Sequence, residues 1–212
     1  MKNGLFITFE GIEGTGKTTA VNFVKEFFHN SHKDVVFTRE PGGTSNAEKI
    51  RKLLLGDELI SPYSTTELML MFASRVEHVE SLIKPALQDG KIVVSDRFFD
   101  ASYAYQGGGR GVDIKKIDQL RLWCLQDFVP DLTILLDAPI EVCLNRIMAR
   151  GEKDRIEQEN QEFFIKARQT YLRLAQNNSR FVIVDTNRPI KEIKVDIITI
   201  IEKTTCDFGG VL

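Results

Sequence analysis

The stretch that decides the fold runs from Leu5 to Thr19 and reads LFITFEGIEGTGKTT. It begins with an apolar run of β-branched and aromatic residues, which predicts a buried strand, and it leads into an amphipathic helical pattern, Thr18 to Phe28. Between the two lies G-x-x-x-x-G-K-[ST], the phosphate-loop pattern in its proper strand–loop–helix context. A glycine-rich turn without a ligand would need neither Lys17 nor Thr18, so we favour polyphosphate binding.

The chemistry of this loop suits a polyphosphate. Its glycines let backbone N–H groups turn inward, and the following helix adds unpaired donors and the positive end of its dipole. We expect Lys17 to reach the β- and γ-phosphates and Thr18 to offer its hydroxyl to Mg²⁺.

Composition limits the classes of function. The 212 residues suffice for one large domain. Lys and Arg number 28 against 30 Asp and Glu, a net charge of -2, so we expect neither nucleic acid nor an anionic membrane as a partner. The sequence has no signal-type segment and no apolar run near the ~20 residues that span a bilayer, and we expect a cytoplasmic protein.

The cysteines give no sign of a disulfide framework or a zinc site. Cys124, Cys143 and Cys206 are widely spaced and form no C-x-x-C pair. We expect reduced thiols, two of them buried.

Short apolar runs alternate with helical patterns along the chain. This alternation predicts a three-layer α/β fold, in which right-handed crossovers join a parallel sheet of about five strands with helices on both faces. The loops after the strands then share the edge where open α/β folds bind ligands. We expect one domain over residues 1–205 and a loosely docked tail over 206–212. The predicted strands are Leu5–Phe9, Val35–Thr38, Ile92–Ser95, Leu132–Leu136 and Phe181–Val184.

Polar residues follow the second and third predicted strands. Arg39 and Glu40 precede a Pro-Gly-Gly turn that holds them at the ligand edge, where an arginine is a natural phosphate clamp. Asp96 is placed to hold Mg²⁺ through water, with Arg97 beside it between two phosphates. Taken alone, an Arg-Glu pair beside a turn is more often a surface ion pair, and an Asp-Arg pair is more often a structural one. Asp137, after the fourth strand, is a rival Mg²⁺ ligand, although Asp137-Ala138-Pro139 is more typical of a helix cap.

Two further stretches offer groups to a nucleotide. Tyr105 and Gln106 present a phenol and an amide at the mouth of a flexible glycine run. In the helical pattern of Thr66 to Lys84, Met71 and Phe72 are most simply core residues, but Arg75 lies on their face of the helix. An apolar plate beside a donor suits a flat base.

A basic turn around Gly151 separates two predicted helices. Arg146, Arg150, Lys153 and Arg155 surround this glycine, and the turn suits a lid, at about residues 146–156, that supplies a mobile arginine to transferring phosphates. The simpler alternative is a solvated charged loop.

Taken in order, these motifs resemble thymidylate kinase, a family with the P-loop nucleoside-monophosphate kinase fold. The resemblance extends from Leu5 to about Ile201 and rests on the phosphate loop with Glu13, Thr38 to Gly43, Asp96-Arg97, Tyr105 to Gly107 and the lid arginines. It implies a homodimer that uses ATP and Mg²⁺ to convert dTMP to dTDP, on the path to dTTP for DNA synthesis. Since Gly14 stands where other members carry arginine, the chain resembles the bacterial subgroup whose catalytic arginine comes from the lid.

The resemblance also implies a role for individual residues. The catalytic candidates are Lys17, Glu13, Arg97 and Arg150, with Arg146 and Arg155 as the other lid arginines. The candidates for ATP binding are Gly11, Ile12, Glu13, Gly14, Thr15, Gly16, Lys17, Thr18, Thr19 and Arg146, with adenine against residues 185–188. The candidates for dTMP binding are Arg39, Glu40, Phe72, Arg75, Arg97, Ser102, Tyr105 and Gln106, and those for the metal are Thr18 and Asp96. Phe72 is our candidate for stacking on thymine, although Met71 occupies the position of the family's phenylalanine.

Other classes of function stay open. A deoxynucleoside kinase would use Glu13 or Glu40 as a base for the acceptor hydroxyl. A GTP-dependent switch would need an Asn-Lys-x-Asp segment, which the sequence lacks. A nucleotide-binding module without turnover would have no use for Asp96, Arg97 and the lid arginines.

Overall fold

A five-stranded parallel sheet forms the centre of the described chain, with the strand order β2-β3-β1-β4-β5. The structure is a computed structural model that describes residues 4–29, 31, 33–56, 62–151 and 155–209. Each strand begins and ends within one residue of its prediction. The strands are β1 (Phe6–Glu10), β2 (Val35–Arg39), β3 (Ile92–Asp96), β4 (Leu132–Asp137) and β5 (Phe181–Asp185).

Helices connect the strands, and two π-helical segments extend helices without a break. The helices are α1 (Lys17–His29), α2 (Ser45–Leu55), α3 (Ser64–His78), α4 (Lys84–Gln88), α5 (Phe99–Ser102), α6 (Ile114–Leu125), α7 (Ile140–Arg150), α8 (Gln161–Gln176) and α9 (Ile190–Gly209). The first π-helical segment, Val79–Ile83, follows α3, and the second, Tyr103–Gly109, follows α5. Side-chain caps begin α2 and α8, where Thr44 and Asn160 accept hydrogen bonds from backbone N–H groups.

Apolar side chains cover both faces of the sheet. On one face, α1 and α9 pack against alternate residues of the central strands, such as Ile7 and Ile134. On the other face, Phe6 and Val93 contact α3 and α6, and Leu135 contacts α7 and α8. Strands covered on both faces are continuous apolar runs, which is why their sequences stand out. The predicted three-layer α/β fold is confirmed.

The last helix extends beyond the predicted end of the domain. α9 continues to Gly209, and Phe208 packs against the core on the α1 side of the sheet. Four residues of the predicted tail are therefore helical, and residues 210–212 lie outside the described chain. Within the described ranges, no helix has the length and apolar character needed to cross a membrane.

The three cysteines are free thiols in different environments. Cys143 is buried, Cys124 is partly buried and Cys206 is exposed, so the expectation of two buried cysteines holds only for Cys143. Burial raises the pKa of Cys143 to about 11, which keeps it a thiol at neutral pH.

The register of the sheet gathers the polar motifs at one edge. Asp96 lies beside Phe9 of β1 and beside Arg39 of β2. The phosphate loop, the turn after β2 and the Asp96-Arg97 pair therefore leave the sheet side by side.

Candidate active site

The loop between β1 and α1 has a backbone shape that suits glycine. Gly11 and Gly14 have φ angles of 139° and 78°. A Cβ at Gly11 would lie 2.4 Å from the carbonyl oxygen of Leu136, and one at Gly14 would lie 2.3 Å from that of Cys143. The loop therefore packs closely against the end of β4 and against α7, and side chains at these positions would displace it.

Lys17 folds back over this loop. Its Nζ donates to the carbonyl oxygens of Gly11 at 2.8 Å and Ile12 at 2.9 Å. Burial and the nearby charge of Arg97 lower the pKa of Lys17 to about 8. A buried ammonium that donates to two neutral carbonyls is well placed to exchange them for a polyphosphate.

A cavity of about 530 Å³ opens over the phosphate loop. Most of the predicted site residues line it, although they come from distant parts of the chain. They are Glu13, Gly14, Gly16, Lys17, Thr18, Thr19, Arg39, Glu40, Arg75, Asp96, Arg97, Ser102, Tyr105, Gln106, Arg146 and Arg150. Gly11, Ile12 and Thr15 lie behind the cavity wall, where the two carbonyls hold Lys17 and the Thr15 hydroxyl donates to the Ile12 carbonyl.

Arg97, Glu13 and Tyr105 form a connected cluster on one wall. Arg97 donates to the Gly11 carbonyl at 2.8 Å and to Glu13 Oε1 at 2.6 Å, and the Tyr105 hydroxyl donates to Glu13 Oε2 at 2.8 Å. Burial acts to lower the pKa of Arg97, but Tyr105 and Glu13 outweigh it and hold this pKa well above its usual range. The cluster fixes one positive charge beside the phosphate loop.

A second buried pair lies deeper in the cavity. Arg75 is 2% exposed and donates from Nε to Glu40 Oε2 at 2.7 Å. Its other nitrogens donate to Ser102 Oγ at 3.1 Å and to the Phe98 carbonyl at 3.2 Å. The other Glu40 oxygen lies 3.1 Å from His78 Nδ1. Glu40 therefore fixes the position of the Arg75 guanidinium in the cavity wall.

The carboxylate of Asp96 has the character of a cation ligand. Its Oδ1 is buried and has no hydrogen-bond partner among the residues that the structure describes, which is unusual for a charged oxygen. The exposed Thr18 hydroxyl lines the same cavity, so a carboxylate and a hydroxyl are available to a hard cation such as Mg²⁺. The rival Asp137 accepts two hydrogen bonds from Arg168, at 2.7 and 2.8 Å, and does not cap α7.

The lid arginines have different partners. Arg146 donates to the Gly14 carbonyl at 3.1 Å and to the Thr186 carbonyl at 2.9 Å, so it braces the phosphate loop against the turn after β5. Arg150, with 54% of its side chain exposed, pairs with Glu157 at 2.8 Å. Arg155 lies outside the cavity lining and donates to the buried Glu67 at 2.6 Å. The predicted lid residue Lys153 lies outside the described residues.

The glycine run after Gln106 is not a flexible loop, contrary to our prediction. Residues 107–109 complete the second π-helical segment, which packs tightly on α8. A Cβ at Gly108 would lie 2.4 Å from Thr170 Oγ1, and one at Gly109 would lie 2.3 Å from Phe163 Cε2. The glycines permit this contact, which fixes Tyr105 and Gln106 in the cavity wall.

Comparisons with known proteins agree with this geometry. The family model described as thymidylate kinase matches residues 9–197. The chain belongs to the thymidylate kinase family. It is 45% identical over 203 residues to the thymidylate kinase of Ruthia magnifica subsp. Calyptogena magnifica, covering 95% of this chain and 99% of that one. It is 47% identical over 198 residues to that of Hahella chejuensis, covering 93% and 95%.

A solved structure supports the same conclusion. The crystal structure of thymidylate kinase from Ehrlichia chaffeensis superposes with a TM-score of 0.78 at 34% sequence identity, and it covers 94% of this chain and 98% of the other. Both the fold and the family therefore agree with the resemblance seen in the sequence.

Phe72 is the predicted thymidylate-binding residue that the structure does not bring to the cavity. It is 1% exposed in the apolar core, and the Arg75 guanidinium lies 4.6 Å from its ring centroid. Met71 lines the cavity instead. Because adjacent helix residues point about 100° apart, only one of the two faces the cavity. The structure therefore contradicts the assignment of thymine stacking to Phe72.

Several residues of the site escaped the sequence reasoning. Arg51 lines the cavity and donates to the Pro41 carbonyl at 2.7 Å. It lies three residues before the buried Leu54 and four after the buried Ala47, so a charge on the apolar stripe of α2 was an available signal. Other lining residues, with no comparable signal, are Pro41, Leu55, Phe98, Ala101, Ala149, Ile156 and Glu157.

Glu10 is a buried carboxyl beneath the phosphate loop that sequence reasoning also missed. It accepts hydrogen bonds from the Phe98 N–H and the Tyr171 hydroxyl, both at 2.7 Å. Burial and the neighbouring Asp100 raise the pKa of Glu10 to about 8. A charged residue at the end of a fully buried strand was the signal in the sequence.

Proposed function

We propose that this protein transfers the γ-phosphoryl group of ATP to dTMP and releases ADP and dTDP, with Mg²⁺ as the metal. The observation that carries the proposal is one cavity in which a phosphate loop faces six arginines, Arg39, Arg51, Arg75, Arg97, Arg146 and Arg150. Membership of the thymidylate kinase family supports dTMP as the acceptor.

The acceptor needs no general base. The second pKa of a phosphate monoester is about 6, so at neutral pH the acceptor phosphate is largely dianionic and is its own nucleophile. Glu13 and Glu40 are both held by arginines, at 2.6 and 2.7 Å, which makes them poor bases. This pairing favours a phosphate acceptor over the hydroxyl of a deoxynucleoside.

The obstacle to the reaction is electrostatic. Two unit charges of like sign 4 Å apart repel by about 4 kcal/mol at an effective dielectric constant of 20, and each reactant carries several. Lys17, Arg97 and Arg150 supply positive charge around the transferring group, from the loop, the end of β3 and the end of α7. Because Arg97 is already held by Glu13 and Tyr105, its charge needs no reorganisation during the reaction.

The donor side combines the phosphate loop with its neighbours. Arg146 ties the loop to the turn after β5, and this contact supports an adenine position at residues 185–188, beside the phosphate loop. Thr18 and Asp96 would hold Mg²⁺, whose chemistry is to neutralise charge on the β- and γ-phosphates. The free Oδ1 of Asp96 supports that role.

The acceptor side lies under α2, α3 and the second π-helical segment. Arg39, with 55% of its side chain exposed and paired to Glu48 at 3.3 Å, is free to turn toward the acceptor phosphate together with Arg97. Arg75, Ser102 and Gln106 would contact the base. Glu13 and Tyr105, whose hydroxyl donates to Glu13, would lie beside the sugar of dTMP.

We also propose that the enzyme is a homodimer built on α3 and α6. These helices lie against each other and expose large apolar side chains: Met69 is 60% exposed, Leu122 51% and Trp123 81%. Clustered apolar side chains of this size favour a protein partner, and a second copy of the chain is the simplest one.

The test of the proposed function is acceptor-dependent ADP release. Each candidate acceptor is added in turn to protein, ATP and Mg²⁺, and the phosphorylated product is identified. We expect product from dTMP to exceed that from every other acceptor. Product from thymidine alone would support a deoxynucleoside kinase, and ADP release that no acceptor stimulates would reject both kinases.

A further inference from the structure

Glu67 is a fully buried carboxylate of α3 for which the proposed reaction has no role. It is 0% exposed and lies behind the cavity wall. Gln106 Nε2 donates to its Oε1 at 2.8 Å, and Arg155 donates to its Oε2 at 2.6 Å. Arg110 adds longer contacts at 3.4 Å. Three side chains thus hold one carboxylate in place, two from the second π-helical segment and its C-terminal cap and one from beyond α7.

The electrostatics keep Glu67 ionised. Burial acts to raise its pKa, but the hydrogen bond from Gln106 and the charge of Arg110 outweigh burial, and the pKa lies below its usual range. An ionised carboxylate accepts hydrogen bonds and donates none. Only the nitrogen end of the Gln106 amide is therefore able to face Glu67.

The orientation of this amide determines what the cavity presents to a base. Gln106 lines the cavity, and with its nitrogen on Glu67 the branch left for a ligand is the carbonyl oxygen, an acceptor. Arg75, joined to Ser102 one helical turn before Gln106, presents only donors. The wall therefore presents a donor and an acceptor to the base.

This donor and acceptor match the hydrogen-bonding edge of one class of pyrimidine base. Thymine and uracil carry a carbonyl oxygen at C4 and an N–H at N3, which need a donor and an acceptor in turn. Cytosine carries an amino group at C4 and a bare nitrogen at N3, which is the reverse pattern. A fixed amide thus distinguishes the two classes, because the wrong base leaves buried polar groups unpaired.

We infer that Glu67 is a positioning residue that sets base selectivity: it holds the Gln106 amide with its oxygen toward the acceptor base, so that the pocket takes a 4-oxo pyrimidine nucleotide and rejects a 4-amino one. The inference rests on the proposed function, since it assumes that the acceptor base occupies this wall. Glu40 acts on Arg75 in the corresponding way.

The test compares selectivity in Glu67→Gln with the unchanged enzyme. The glutamine keeps the shape of Glu67 but offers both a donor and an acceptor, so the Gln106 amide is free to turn over. We expect the ratio of kcat/KM for dTMP to that for dCMP to fall at least about tenfold. The ratio for dTMP to dUMP, which share the same edge, should change less than about twofold. Glu67→Asp, which keeps the carboxylate, should retain more of the dTMP to dCMP ratio than Glu67→Gln.

Arg110→Lys is the matched control, because it alters a neighbour of Glu67, keeps the positive charge that helps to hold Glu67 ionised, and leaves the carboxylate facing Gln106. We expect it to leave the dTMP to dCMP ratio within about twofold of the unchanged enzyme. If Glu67→Gln does not fold, the double variant Glu67→Gln with Arg110→Gln, which removes one charge of each sign, is compared with Arg110→Gln alone.

Equal losses with dTMP and dCMP, leaving their ratio unchanged, would overturn the role of Glu67 and leave the proposed function intact. If the unchanged enzyme phosphorylates no pyrimidine monophosphate, the proposed function fails first. The two failures are therefore distinguishable in one set of assays.

Discussion

Arg97 combines an unusual backbone with a fixed charge. Its φ angle is 74°, and its guanidinium bridges the Gly11 carbonyl and Glu13. We expect Arg97→Ala to lower the rate of dTMP phosphorylation by about 100- to 1000-fold, since it removes a preorganised charge from the transition state. The remaining Glu13 loses a partner, at a cost to folding of about 1–3 kcal/mol.

Steady-state kinetics and thermal unfolding of the same samples separate these two effects. Arg121→Ala, which alters an arginine outside the cavity lining, is the matched control and should keep the normal rate. A folded Arg97→Ala enzyme with unchanged turnover would remove Arg97 from the mechanism.

Lys17 gives a pH dependence whose sign follows from its lowered pKa. In the ligand-free protein burial lowers this pKa to about 8, and the ammonium is charged below that value. Raising the pH through 8 therefore neutralises Lys17 before ATP binds, and kcat/KM for ATP should fall.

The internal control is kcat/KM for dTMP at saturating ATP, where the polyphosphate keeps Lys17 charged and the fall should appear at a higher pH. The measurement is both pH profiles between about pH 6.5 and 9.5. Coincident profiles for the two substrates would argue against Lys17 as the titrating group.

At the scale of elements, two arginines near the end of α7 have different contacts, and we expect them to have different roles. Arg146 braces the phosphate loop, whereas 54% of the Arg150 side chain is exposed and its tip pairs with Glu157. We expect Arg150→Ala to lower kcat at least tenfold with little change in KM for dTMP, because in the proposed mechanism its charge acts on the transferring group. Arg146→Ala should instead raise KM for ATP. Measuring kcat and KM for ATP and dTMP in both variants tests this assignment. A raised KM for ATP in Arg150→Ala together with a lowered kcat in Arg146→Ala would reverse it.

The second π-helical segment depends on its glycines. A Cβ at Gly108 would meet Thr170 Oγ1 at 2.4 Å and the Lys166 carbonyl at 2.9 Å, so Gly108→Ala must push the segment away from α8. We expect a loss of about 1–3 kcal/mol in stability and weaker dTMP binding, since Tyr105 and Gln106 lie on the same segment.

Gly111→Ala is the control for this variant, because it has open space and strains only the backbone, at φ 75°. It should leave dTMP affinity unchanged. Chemical denaturation and dTMP titration measure both quantities, and tight dTMP binding by Gly108→Ala would show that the contact with α8 does not set the pocket.

At the scale of the whole molecule, the proposed dimer predicts a change of mass. Trp123 is 81% exposed on α6, and Trp123→Glu places a charge in the proposed interface. We expect this variant to sediment as a monomer where the unchanged protein sediments as a dimer. Val195→Glu, at an exposed apolar position on α9, is the control and should stay dimeric. A Trp123→Glu dimer would place the interface elsewhere.

Sequence reasoning recovered the elements whose patterns are local. The central strands β1, β3 and β4 stood out because they are buried on both faces, and the edge strands β2 and β5, although only partly buried, because they are short runs of apolar residues. The phosphate loop stood out because Lys17 and Thr18 follow a spaced set of glycines. Contacts between distant residues left weaker traces. Whether Met71 or Phe72 faces the cavity depends on the rotation of α3, and residues 107–109 are held in a helical segment by their contacts with α8, which lies far away in the sequence.

The contacts of the buried Glu67 carboxylate are the clearest case of contacts that the sequence alone does not predict. Glu67 is 39 residues from Gln106 and 88 from Arg155, so no local pattern connects them. Their meeting depends on how α3 and the second π-helical segment pack in the finished fold.

The measurement that tests the central proposal most directly is product formation with a panel of acceptors at fixed ATP and Mg²⁺. The panel consists of dTMP, dUMP, dCMP, dAMP, dGMP, UMP and thymidine, with separation of ADP and the phosphorylated product. We predict dTDP from dTMP at a rate far above that of any other acceptor. Phosphorylation of thymidine alone, or ADP release that no acceptor increases, would contradict it.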